Sequence, residues 1–300
     1  MAAIIRKELA DYFNSVRFPI LFILVIATAA YGLVTAYNGI RAELLDSGAV
    51  TGHGFVFLAL FTSGEGLFTF RFFIMMLIPI IGIALGFDAI NSERQNGTLS
   101  RLLSQPVYRD SVINGKFLAG LITITLMVFT TMLLLAGYGL RMIGVPPTAE
   151  EIVRLFLYMV VIIIYGAFWM GLAMLFSVVT RRVAVSLLIP LAIWLISFLW
   201  FFVGPIMFSG MVDTAEAQIN LLRISPLFLF FEAMDVLLVP VSRGFNFVVS
   251  SGMSYAIANP LSLGQSLLTI WPHIVSMISV SIICFAASYI IFMRQEIRAQ

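Results

Sequence analysis

Residues 88–116 read DAINSERQNGTLSRLLSQPVYRDSVINGK, a polar island between two long apolar runs. Asp88, Glu93, Arg94, Arg109, Asp110 and Lys116 supply charges of both signs around three leucines, Leu99, Leu102 and Leu103. This mixture has neither a nucleophile beside a base nor metal-ligand spacing. Three leucines on one face need a cover: the bilayer surface could supply it, and a protein groove does so better, because charges of both signs can fix register against a partner. Asn96-Gly97 signals a turn, Thr98 suits an N-cap and Pro106 suits a helix stop. The pattern predicts a short amphipathic helix over 99–105. Leu99, Leu102 and Leu103 share one face, with Ser100, Arg101, Ser104 and Gln105 on the other.

Other chemistries are missing. The phosphate-binding pattern G-x-x-x-x-G-K-[ST] is absent: Gly115-Lys116 is followed by Phe117, and Asp110 stands where the first glycine belongs. No H-E-x-x-H or G-x-S-x-G occurs. His53 and His273 are too isolated for a metal site and read as ordinary polar residues near the outer surface. The single cysteine, Cys284, can form no internal disulfide.

The elements that must position the island are membrane spans. The chain has 300 residues, 61% hydrophobic and 11% charged, with a mean hydropathy of +1.06. A soluble domain carries roughly 25% charged residues. Six apolar runs near 18–38, 67–87, 117–140, 152–178, 183–208 and 267–293 reach the roughly 20 residues a span requires. They lack the alternation of a membrane barrel, which leaves helices, each satisfying its own backbone. The first run is too long for a signal-peptide core and reads as an anchor. With the N-terminus inside, 11 of the 17 Lys and Arg fall in cytoplasmic parts, as the positive-inside rule requires. Both termini and the island are then cytoplasmic, and the net charge of +2 points to no nucleic-acid partner.

Residues 4–17 form an amphipathic helix suited to the membrane interface. Ile5, Leu9, Tyr12, Phe13 and Val16 share one face, opposite Arg6, Lys7, Asp11, Asn14 and Arg17. Pro19 suits the first turn of the next helix. Between the fifth and sixth runs lies a long outer connection, 209–266. Within it, SPLFLFFEAMDVLLVP is too short to span and starts with the helix signal Ser225-Pro226. It reads either as a helix dipping into the outer leaflet or as one packed on neighbouring spans, with Glu232 and Asp235 on one face. The predicted fold is an all-α integral membrane protein: six transmembrane helices, an N-terminal interfacial helix and short extracytoplasmic helices before the last span.

The island resembles the first cytoplasmic loop of ABC-2 type permeases, the NosY-like group among them. Glu93, Gly97, Thr98, Leu99, Leu102, Leu103, Pro106, Val107, Arg109, Gly115 and Lys116 match that loop in spacing, while Ser100 and Tyr108 depart from it. The likeness extends over essentially the whole chain, which reads as a single transmembrane domain, 1–300. The resemblance implies a permease subunit of an ATP-driven exporter in the plasma membrane. The 88–116 loop would couple it to a separate ATP-binding subunit. ATP and Mg would be bound by that partner, with no cofactor in this chain. A second permease copy, identical or closely related, would face the first across the substrate path. Glu93, Arg94, Gly97, Thr98, Leu99, Leu102, Leu103, Pro106 and Arg109 are the coupling candidates.

For the path or an outer gate the candidates are Arg71, Pro79, Pro190, Glu232 and Asp235. Arg71 opens the second span with Glu65 about a turn outside it, a placement that suits snorkelling to the interface. Pro79 and Pro190 lie mid-span and mark the second and fifth spans as lining. Gly82 and Gly86 give the second span a small-residue strip for close approach. The competing reading is an ion-coupled secondary transporter or a channel acting without an ATPase. Such proteins display ionisable residues at mid-depth or paired broken helices, and neither pattern is evident.

Overall fold

A computed structural model describes residues 1–47, 55–62, 69–98, 108–208, 215–239 and 261–295. The described residues form eleven helices: α1 (Ala2–Asn14), α2 (Arg17–Ser47), α3 (Val56–Thr62), α4 (Phe70–Gly86), α5 (Asn91–Gln95), α6 (Arg109–Ile143), α7 (Ala149–Val179), α8 (Val183–Phe208), α9 (Ala215–Leu222), α10 (Pro226–Leu238) and α11 (Leu263–Arg294). Among them, six segments are long and apolar enough to cross a membrane: Arg17–Ala42, Phe70–Gln95, Arg109–Ile143, Ala149–Val179, Val183–Met207 and Leu263–Arg294. The all-α membrane architecture and the six spans therefore stand.

Local chemistry sets the helix ends. Thr148 and Glu151 form a reciprocal capping box that starts α7, and Ser262 and Gln265 do the same for α11. Ser225 stands at the N-cap position of α10, with Pro226 in its first turn, as the sequence signals, and its hydroxyl donates to the Ser197 carbonyl. Gly144, at φ 74, ends α6 in the left-handed conformation. The third span is longer than its apolar run. α6 begins at Arg109, two turns inside the island, where Asp110 favours the positive end of the helix dipole.

The centre of the bundle is α7, packed against α4 and α11. Tyr158, Ile162, Tyr165, Trp169 and Ala173 on α7 are fully buried. Glycine permits the α4 contact. A Cβ on Gly82 would lie 2.7 Å from the Gly166 carbonyl oxygen, and one on Gly86 2.5 Å from that of Met170. The small-residue strip of the second span is thus occupied within the chain, against α7. Pro79 and Pro190 are both buried. Spans α4 and α7 are mostly enclosed, whereas α2, α8 and α11 leave most of their surface free.

Candidate functional site

At the island end, Lys116 in the second turn of α6 is the organising charge. Its Nζ lies 2.8 Å from Glu8 Oε1 on α1 and 2.9 Å from Glu93 Oε1 on α5, with side-chain exposures of 4%, 8% and 11%. Lys7 adds contacts to Glu8 at 3.1 Å, Asp11 at 3.4 Å and Glu93 at 3.4 Å. Burial alone would lower the Lys7 pKa; Glu8, Glu93 and Asp11 outweigh it and hold it above its ordinary value. Gly115 makes the approach of α1 possible, since a Cβ there would meet Ile4 Cγ2 at 2.8 Å. Glycine and lysine in sequence thus seat α1, one by leaving room and the other by charge.

The amphipathic N-terminal helix stands, with bounds that differ from 4–17 and a packed face that includes an acid. The helix spans Ala2–Asn14 and packs on α6, with Ile4 and Glu8 buried, while Phe13 and Val16 stay exposed. A buried acid on the packed face was not legible from the apolar stripe. Tyr12 donates to the Leu85 carbonyl at 3.1 Å and ties α1 to α4 as well.

The turn from α4 into α5 is held from several sides. Ser177 Oγ on α7 accepts the backbone N–H groups of Ile90 and Asn91, both at 3.1 Å. Ser186 on α8 donates to the Phe87 carbonyl at 2.6 Å. Arg17 pairs with Asp88, and its guanidinium lies over the Phe87 ring at 5.2 Å. Arg94 donates to the Gln295 side chain, and Arg109 to the Gln295 carbonyl at 3.1 Å. Gln295 in turn donates to Val178 O at 3.0 Å.

Gly97 takes φ 68, so the Asn96-Gly97 turn is realised, and Thr98 Oγ1 donates to Glu93 O at 3.2 Å. Glu93, Arg94 and Arg109 are therefore bonded within the chain. Leu99, Leu102, Leu103 and Pro106, with the helix expected over 99–105, lie outside the described residues, as do Glu65 and His53. What the structure shows is their mounting: residues 88–98 and the start of α6, where α1, α2, α4, α7, α8 and the end of α11 converge.

At the far end the gate candidates separate. Arg71, Glu232 and Asp235 come together around α10, whereas Pro79 and Pro190 do not join them. Arg71 pairs with Asp235 at 2.8 Å and lies over the Phe231 ring at 5.7 Å, so it is anchored on α10 instead of snorkelling alone. Glu232 receives Arg223 at 2.6 Å and His273 Nε2 at 2.7 Å. His273, read from the sequence as an ordinary polar residue near the outer surface, is 4% exposed and pairs with this acid. Burial pushes Asp235 up to about 7 against the pull of Arg71. Burial also opposes ionisation of Glu232, but hydrogen bonds from Arg223 and His273 prevail and hold it at about 2.

Arg154, fully buried on α7, was missed. It binds Glu150 at 2.8 Å, Leu261 O at 2.7 Å, Ser266 at 3.1 Å and Leu237 O at 3.3 Å. It thereby ties the ends of α10 and α11 to the central span. The signal was present: an arginine one turn into a long apolar helix must find partners. α10 is accordingly a helix packed among the spans, with Leu227, Phe230, Ala233, Met234 and Leu237 fully buried.

Six apolar spans carrying a braced polar arm at one end define a multi-pass all-α membrane protein. The chain belongs to the ABC-2 transporter family: the family model described as "ABC-2 family transporter protein" matches residues 2–297. It is similar to a "Probable ABC transporter permease protein NosY" of Stutzerimonas stutzeri, 27% identical over 303 residues and 97% of each chain. A protein of the same description from Pseudomonas aeruginosa is 31% identical over 188 residues, covering 61% of this chain and 58% of that one. The chain is thus the membrane subunit of an ABC transporter.

Proposed function

We propose that this chain is the permease of an ATP-driven exporter in the plasma membrane, with both termini and the 88–116 segment in the cytoplasm. A separate ATP-binding subunit binds ATP and Mg and docks on Leu99, Leu102 and Leu103. One observation carries this reading: the residues on either side of those leucines are braced by nearly every helix end on that side. A freely solvated loop that only set topology would need its basic residues but no such bracing. Movement of the docked subunit would be delivered to the spans together. The path lies between two permease copies. α8 is the better candidate for its lining, since the approach strip of α4 is used against α7.

The test is co-purification. Leu102→Asp places a charge on the docking face, and burying it unpaired costs several kcal/mol, about the size of an interface hot spot. The variant permease inserts normally but loses the ATPase. Retained stoichiometric ATPase with normal transport contradicts the proposal.

A further inference from the structure

Beside α1, the island end holds a cavity of about 590 Å³, within the range of small-molecule sites, roughly 300–1,000 Å³. Its wall has two characters. One side is charged, with the carboxylates Glu8, Asp11, Asp88 and Glu93 against the cations Lys7, Arg17 and Lys116. The other side is apolar and includes Leu21 on α2, Ile81 on α4 and Met127 on α6. Met127 lies about 16 Å further along α6 than Lys116, by helical rise. The cavity therefore runs from the charged level into the apolar depth of three spans. That profile fits an amphiphile better than a free ion.

The sign of the headgroup comes from the unbalanced charge. Four carboxylates face three cations, which leaves a formal excess of one negative charge. Glu93 Oε1 takes Lys116 and Lys7, and the more exposed carboxylates are Asp11 and Asp88, with side-chain exposures of 61% and 20%. They leave acceptors open towards the cavity mouth, and a primary ammonium supplies three donors. An anionic headgroup alone would worsen the imbalance. Lys7 and Arg17, each about half exposed at the rim, suit an anionic ester beside the ammonium.

We infer that this cavity binds an amphiphile carrying a primary ammonium next to an anionic ester. It enters from the bilayer leaflet at the island end and lays its chain between α2, α4 and α6. The site belongs to the permease chain itself and does not rest on coupling to an ATPase. The same chemistry describes a resident lipid and a transported amphiphile.

The test uses the full chain with Cys284→Ala and Ser92→Cys, because Ser92 lines the cavity. Lysophosphatidylethanolamine at about ten times its dissociation constant slows alkylation of this cysteine about tenfold, whereas lysophosphatidylglycerol leaves it unchanged. Adding Glu93→Gln, or Leu21→Trp to fill the apolar side, removes the protection. Native mass spectrometry of the unsubstituted permease reads the same preference without the reporter cysteine. Equal protection by both lipids, or by neither, overturns the inference, as does equal retention of both in the spectra. In the assembled transporter, protection that disappears during ATP turnover marks a transported ligand, and protection that persists marks a resident one.

Discussion

Lys116 and Glu93 meet at 2.9 Å with side chains only 4% and 11% exposed, and this pair joins the start of α6 to the arm that leaves α4. Glu8, 108 residues before Lys116, completes the contact from α1 at 2.8 Å. Three segments distant in sequence are held by one cation, so movement of the arm reaches α1 and α6 together.

Lys116→Met leaves Glu8 and Glu93 as neighbouring buried carboxylates, with only the half-exposed Lys7 to offset them. Removing one partner of a buried pair costs about 3–5 kcal/mol. Thermal unfolding of the purified permease should shift down accordingly. Adding Glu8→Gln and Glu93→Gln to the same chain should recover much of the loss, because a neutral trio is cheaper than unpaired acids.

Gly115→Val drives a side chain into Ile4, whose Cγ2 lies 2.8 Å from where a Cβ would stand. Overpacking of this kind costs about 1–3 kcal/mol and should lift α1 from α6, read as faster proteolysis near the N-terminus. Ile4→Ala in the same chain makes room and should restore protection.

Glu232 gives the far end an acid-sensitive contact. Its folded pKa of about 2 lies below the ordinary 4.5. Its stabilisation is therefore complete above about pH 4.5 and is lost as pH falls from there through about 2. Allowing for partial exposure, the native chain should exceed Glu232→Gln in unfolding free energy by ~1–3 kcal/mol near neutrality. That margin should shrink steadily below about pH 4.5. A margin independent of pH would show that the Arg223 and His273 contacts do not depend on the ionised acid.

Cysteines placed one at a time along 187–201 and along 72–86, in a Cys284→Ala background, test where two copies meet. Positions on the exposed face of α8 should cross-link at helical spacing, and nucleotide should change which of them react. Positions along 72–86 should not, because Gly82 and Gly86 are closed against α7. The reverse pattern would return the path to the second span.

The spans were legible because length and apolarity alone decide them. The start of α10 was legible because Ser-Pro carries its own geometry. The Asn96-Gly97 turn was legible for the same reason. Pairings between distant charges were not. Arg71 had Glu65 nearby in sequence, yet its partner in the structure is Asp235, 164 residues away. Glu8 has no place in the apolar stripe of residues 4–17, yet it is buried on the packed face of α1 with Lys116 2.8 Å from its carboxylate. Gly82 and Gly86 announced a close helix approach correctly but could not say to which helix. Periodicity reports which face is apolar, and the choice of partner depends on packing that only the folded chain defines.

The proposed function turns on engagement of an ATP-binding subunit by the leucines of residues 88–116. A photoreactive phenylalanine analogue at Leu102, activated in membranes containing the assembled transporter, tests it most directly. A covalent product between the permease and the ATP-binding subunit is expected, with a yield that changes when ATP is added. Products formed only with lipid or with the permease itself, at a yield indifferent to ATP, would contradict it.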